Sequence, residues 1–238
     1  MSKPFHFKEF SVSQDRCAMK IGTDGVLLGA WTSIDNNPQS ILDIGSGTGI
    51  IALQLAQRSA APTIDAVELD DNAYEQCSEN FEASPWPDRL FCYHASIQEF
   101  ASEIDETYDL IVSNPPFYRE DFKSAAPARD TARFTDTLPF EHLMVCVAHL
   151  LSENGKFSLI LPQKEQLRLT ELATKQRLHP KRICEVRGTP NSEIKRVLME
   201  FSNMRPAKII SEELTIEIGR HEYTPKYINL VKDFYLKM

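Results

Sequence analysis

Leu42-Asp43-Ile44-Gly45-Ser46-Gly47-Thr48-Gly49-Ile50-Ile51-Ala52-Leu53 is the stretch on which the fold is decided. Ile41 to Ile44 is an apolar run of strand length, and Ile50 to Arg58 has helical spacing. Three glycines at alternate positions join them. A strand that passes through glycines into a helix suits a nucleotide-like ligand, because the chain must turn sharply and let the ligand approach its backbone. The N–H groups at the helix start favour a negative group. The spacing excludes two ligand classes. A dinucleotide fingerprint wants glycine three residues after Gly47, where Ile50 stands, and no Gly-Lys-Ser/Thr follows to make a P-loop.

Outward from this loop, strands and helices alternate. Strands are predicted at Thr63–Leu69, Arg89–Tyr93, Asp109–Ser113, Phe157–Leu161, Ile183–Arg187 and Arg196–Phe201. Helices are predicted at Asp71–Ala83, Leu138–Leu151 and Gln163–Arg177. Asp70 or Asp71 caps the first of these, and Asn154-Gly155 stops the second. The last two strands suit an antiparallel pair. An extended piece at Leu214–Ile218 and a helix at Lys226–Leu236 follow. With Ile41–Ile44 this gives an α/β fold with a doubly wound, mostly parallel seven-stranded sheet. Phe5, Phe7 and Phe10 open a short N-terminal ribbon, and Thr23 or Asp24 is placed to cap a helix over Val26–Trp31. The expected division is an N-terminal extension over 1–35 and a main domain over 36–238.

The 238 residues suffice for one such domain. Met1 to Phe10 lacks the apolar run of a signal peptide, and no apolar stretch has the length of a membrane span. Cys17, Cys77, Cys92, Cys146 and Cys184 are scattered without CxxC spacing, which argues against a disulfide framework or a zinc site. His94 near Cys92 is too little for a metal, so no metal is expected. A reduced cytoplasm fits these thiols. The net charge of -8 is unevenly spread. Residues 63–113 carry 13 Asp or Glu against one Arg, whereas 156–208 carry 12 Lys or Arg against five Glu. Separated charge lets an acidic protein offer a basic face to phosphates.

Ser113-Asn114-Pro115-Pro116-Phe117-Tyr118 follows the fourth strand, where the switch-point rule places a ligand. The residue types suit attack by a poorly nucleophilic nitrogen whose lone pair is delocalised into a π system. The Asn114 side-chain oxygen and the Pro115 carbonyl can hold its two hydrogens. Pro115 and Pro116 stiffen the backbone that presents those acceptors. Phe117 offers a stacking face. Glu68, at the end of the second strand, is placed to accept from two ribose hydroxyls.

The glycine loop, the acidic strand end and the Asn-Pro-Pro-Phe corner together resemble the class I S-adenosylmethionine methyltransferases that modify amino groups, which have a Rossmann-like fold. Gln14-Asp15-Arg16-Cys17-Ala18-Met19-Lys20-Ile21-Gly22-Thr23-Asp24-Gly25-Val26-Leu27-Leu28-Gly29-Ala30-Trp31 is similar, more specifically, to the bacterial tRNA(Val) adenine-N6 methyltransferase family. Asn191 to Phe201 is compatible with it. The resemblance implies methyl transfer from S-adenosyl-L-methionine to N6 of the adenine at position 37, beside the anticodon of a valine tRNA, in tRNA processing. It implies that Asp43, Gly45, Gly47 and Gly49 surround the methionine end and that Glu68, with Leu69, holds the ribose side. Ser96 would face the adenine, where many relatives carry an acid. Lys20, Gly22, Thr23 and Asp24 would close over the cofactor. Asn114, Pro115, Pro116 and Phe117 would hold the target base, and Asn114 would also contact the cofactor.

An RNA target requires a loop nucleotide splayed into the pocket. Arg119, Lys123, Arg129 and Arg133 are candidates for phosphate contacts, and Phe117, Tyr118, Phe122 or Phe134 for stacking. The expected partner is tRNA, with no membrane, and a monomer is favoured. A protein glutamine-N5 or an RNA guanine-N2 methyltransferase would use the same corner. A silent cofactor-binding subunit is the non-enzyme alternative, and the intact Asn-Pro-Pro-Phe speaks against it.

Overall fold

The computed structural model describes residues 3–116 and 138–238. β3 (Ser40–Ile44) runs into the glycine loop and α2 (Ile50–Arg58). β4 (Thr63–Glu68), α3 (Asp71–Glu82), β5 (Leu90–His94), α4 (Ile97–Glu103) and β6 (Tyr108–Ser113) complete the first half. The second half holds α5 (Phe140–Leu150), β7 (Leu151–Pro162), α6 (Gln166–Lys175), β8 (His179–Arg187), β9 (Ile194–Ser202) and β10 (Ile210–Thr215). Ahead of them stand β1 (Phe5–His6), β2 (Ser11–Val12) and α1 (Thr23–Trp31). A small hairpin, β11 (Glu217–Gly219) with β12 (Glu222–Tyr223), and α7 (Pro225–Val231) end the chain.

The main sheet has eight strands in the order β10-β8-β9-β7-β6-β3-β4-β5. The strand beyond the seven expected is β10, the extended tail piece. It pairs parallel to β8 through Ile210–Thr215, somewhat earlier than the sequence suggests. β9 is antiparallel to both β7 and β8, so the late strands pair as expected. The remaining neighbours are parallel. Two apolar clusters cover the faces. Phe81, Leu28, Leu53 and Val231 lie in one, and Phe100, Leu143, Val147 and Leu169 in the other. Helices α1, α2, α3 and α7 thus lie on one face and α4, α5 and α6 on the opposite one, which is double winding. Strand order reverses between β3 and β6, so the crevice at their carboxyl ends is the switch point.

Two local expectations are corrected. Asn154-Gly155 does not stop a helix. α5 ends at Leu150, and β7 runs directly from Leu151. Gly155 sits where the β6–β7 register shifts, and a Cβ there would stand 2.8 Å from Leu151 Cδ1 and 2.9 Å from the Tyr108 carbonyl. This glycine therefore permits close backbone approach at a bulge. Neither Thr23 nor Asp24 caps α1. The N-cap is Gly22, and Asp24 instead accepts from Arg196 Nε at 2.7 Å, tying α1 to the start of β9. The predicted cap at Asp70 holds, with its carboxylate accepting from Ala73 N at 2.8 Å.

β1 and β2 form the expected ribbon. It docks on the C-terminal segment through a Phe7–Tyr235 bridge and a 2.9 Å bond from Lys8 N to the Phe234 carbonyl.

Candidate active site

The three loop glycines all have positive φ, at 71° for Gly45, 54° for Gly47 and 77° for Gly49. They serve two purposes. A Cβ on Gly45 or Gly47 would meet no atom within 4 Å, so these two border open space. A Cβ on Gly49 would stand 2.5 Å from Phe81 Cε1 and 2.9 Å from Cys77 Sγ, so the third glycine lets α3 pack against the loop. The loop's own amides are largely satisfied within the protein. Gly45 N and Ser46 N donate to the Val67 carbonyl, Gly49 N to the Ser46 carbonyl, and Gly47 N to Glu68 Oε2 at 2.8 Å.

Glu68 is thus a hub as well as a strand end. Its Oε1 accepts from Leu69 N at 2.8 Å and Asp70 N at 2.9 Å. Three of about four lone-pair sites are occupied, leaving one on Oε2. Leu69 exposes an apolar side chain next to it. Asp43 is fully buried behind the loop. Its Oδ2 accepts from Ala52 N at 3.2 Å, while Oδ1 has no hydrogen-bond partner among the described residues. Burial pushes its pKa up to about 7. The Ala52 N–H works against that rise, and the charge of Glu68 adds to it. A carboxyl oxygen orphaned beside an open cradle is a position for a donor the chain itself does not supply.

The corner lies at the end of β6. Asn114 is half-buried, Pro115 buried and Pro116 exposed. Ser113, which pairs with Ile44 across β3 and β6, donates its hydroxyl to the Ile44 carbonyl at 2.9 Å. Ile44 immediately precedes Gly45, so one hydrogen bond joins the glycine loop to the corner. Sequence reasoning missed Ser113 because its partner lies far away in the chain. Phe117 and the RNA candidates Arg119, Lys123, Arg129 and Arg133 lie outside the described residues, as do Tyr118, Phe122 and Phe134.

Ser96 sits beyond β5 as the N-cap of α4. Its hydroxyl donates to Glu99 Oε2 at 2.8 Å and accepts from Glu99 N at 3.2 Å in a capping box, which leaves one lone pair free. Lys20, Gly22 and Thr23 are exposed, and Asp24 is paired with Arg196 as described. Among the described residues no group of three or more His, Cys, Asp or Glu could hold a metal ion, and no helix is long and apolar enough to cross a membrane.

Residues 22–168 match the family model described as the methyltransferase small domain. A tRNA1(Val) (adenine(37)-N6)-methyltransferase of Flavobacterium johnsoniae is 59% identical over 234 residues, covering 98% of this chain and 100% of the relative. The protein of the same name from Christiangramia forsetii is 56% identical over 239 residues, covering 100% and 99%. This chain belongs to that methyltransferase family. S-adenosyl-L-methionine is the cofactor that the sequence leads us to expect. Solved structures agree on the fold. A predicted O-methyltransferase from Agrobacterium tumefaciens superposes with a TM-score of 0.70 at 19% identity, over 89% of this chain and 96% of the other. A ribosomal protein L11 methylase from Lactobacillus delbrueckii gives 0.53 at 15% identity, over 75% and 76%.

The residues present suit this cofactor. Gly45 and Gly47 leave room for it, and the orphaned Asp43 Oδ1 can take a hydrogen bond from a cationic amino group. Leu69 offers apolar cover beside Glu68.

Proposed function

We propose that this chain methylates N6 of adenine 37 in a valine tRNA, in the cytoplasm. Full-length likeness to relatives bearing that name supports the acceptor. The structural observation that carries the reading is the Ser113–Ile44 bond, which fixes the Asn114 corner beside the glycine loop. When bound, S-adenosylmethionine supplies a methyl group on a cationic sulfur. The Asn114 side-chain oxygen and the Pro115 carbonyl accept the two hydrogens of the adenine amino group and draw its nitrogen toward tetrahedral geometry. The paired prolines, with their φ angles locked, hold both acceptors in place before the base arrives. Phe117 stacks on the base. Asp43, Gly45, Gly47, Gly49, Glu68, Leu69 and Ser96 bind the donor, with Lys20 to Asp24 closing the pocket from the N-terminal extension. Much of the rate then comes from alignment. No strong general base is required, because the methylated nitrogen loses its proton readily.

The sheet order supports an RNA substrate. It places β7, β8 and β9, from the basic stretch, on one side of the corner and β3, β4 and β5 on the other, with most of the acidic stretch there. Exposed Lys164 and Lys195 stand at the catalytic end of the basic flank, near the Pro162–Arg196 pair. A polyanion is attracted to that flank and repelled by the acidic one. Arg119, Lys123, Arg129 and Arg133 would add phosphate contacts. The test is transfer of labelled methyl to total tRNA from cells lacking the modification, followed by nucleoside analysis. Labelled N6-methyladenosine in valine tRNA is expected. Label in N2-methylguanosine, or only in protein, overturns the proposal.

A further inference from the structure

The N-terminal segment 13–21 crosses toward the cofactor pocket, and α3 holds it there by side chains that no motif marks. Asn80 is nearly fully buried and uses its whole amide. Its Oδ1 accepts from Ser13 N at 2.8 Å. Its Nδ2 donates to the Ser13 carbonyl and to the Thr48 carbonyl, each at 2.9 Å. Thr48 lies inside the glycine loop. One turn earlier on α3, buried Gln76 accepts from Arg16 N at 2.9 Å. Arg16 in turn pairs with Glu75 at 3.0 Å and with Glu79. The segment closes on itself through Ile21 N donating to Gln14 Oε1 at 2.8 Å. Its middle residue, Cys17, is buried close enough to Glu68 and Asp70 for their charges to add to the rise that burial causes in its pKa.

We infer that Asn80 is a positioning residue that couples this strap to the cofactor loop, so that donor affinity depends on a side chain outside the donor's own pocket. The inference rests on the glycine loop being the donor site. The physical basis is that Asn80, on α3, gives two backbone segments a single shared anchor, Thr48 lying 32 residues and Ser13 67 residues before it in the chain. Strap and loop therefore cannot shift independently while it is intact. A buried amide with three satisfied bonds holds geometry tightly, and its loss leaves three backbone groups in search of partners.

The experiment pairs titration calorimetry, using S-adenosylhomocysteine as the probe, with amide hydrogen exchange of the apoprotein. Asn80→Ala should weaken binding about tenfold, the fold-change for loss of one to two net hydrogen bonds, and speed exchange across residues 13–21. The kcat at saturating donor should stay within about threefold while KM for the donor rises, a split tied to loss of ground-state binding. If Asn80→Ala does not fold, Gln76→Leu carries the test. It leaves Thr48 held and should weaken binding by about threefold, with faster exchange confined to the strap. Wild-type affinity in a folded variant whose strap exchanges faster overturns the coupling, as does unchanged exchange. Failure of the wild-type protein to bind the probe overturns the donor site itself.

Discussion

The glycine loop and the Asn114–Pro116 corner stand at the ends of neighbouring strands and hold their shape by opposite means. The loop consists of residues with the greatest backbone freedom. It is fixed from outside, by Glu68 on Gly47 N, by Val67 on Gly45 N and Ser46 N, and by Asn80 on the Thr48 carbonyl. The corner is fixed from within, because two consecutive prolines lock their own φ angles. The loop is therefore open to damage from residues spread over β4 and α3, whereas the corner depends mostly on itself and on Ser113. A donor pocket that has to admit and release a cofactor tolerates external bracing. Two acceptors that must meet one nitrogen gain from being rigid beforehand.

This contrast can be broken most severely at Gly49. Gly49→Ala places a Cβ against Phe81 and Cys77 at a φ of 77°. Overpacking and left-handed strain together should cost about 2–5 kcal/mol of stability, measured by denaturant unfolding. A cost below ~1 kcal/mol would mean that α3 does not brace the loop as described. Glu68→Ala comes next. It removes the acceptor of three amides, and cofactor affinity should fall roughly 10–100-fold, at ~1–3 kcal/mol for the unpaired groups. An unchanged calorimetric affinity would show that the loop keeps its form unaided.

Asp43 adds a dependence on pH. Its carboxyl is raised to about 7 by burial in the folded chain, above its ordinary unfolded value near 4. Between those values the folded state binds more protons than the unfolded one. Stability of the cofactor-free protein should fall as pH rises through that window, by no more than ~1.4 kcal/mol per pH unit, and level off above it. Asp43→Asn should flatten the profile between pH 5 and 7. An identical slope in the variant would place the titration elsewhere.

Much of the architecture was legible because local signals agreed. The bounds of α2 were read to the residue, since apolar spacing begins where the glycines end. Gly155 was misread because glycine marks helix stops and close approaches alike, and only the Tyr108 carbonyl across the sheet distinguishes them. Asp24 failed as a cap because Arg196, 172 positions away, takes its carboxylate. β10 was visible as an extended piece, but its parallel pairing with β8 depends on tertiary placement. The candidate site divides the same way. Glycines, an acid and prolines announce themselves by type, whereas Ser113 and Asn80 act through distant backbone partners that leave no periodic trace.

The most direct test of separate but adjoining donor and acceptor sites is Asn114→Ala, assayed for cofactor affinity and for single-turnover methyl transfer to valine tRNA. Affinity should stay within about threefold, because the corner does not brace the loop. Transfer should fall about 10²–10³-fold, the range for losing one preorganised polar group at a reacting centre. Affinity and transfer falling together, or transfer at the wild-type rate, would contradict the account.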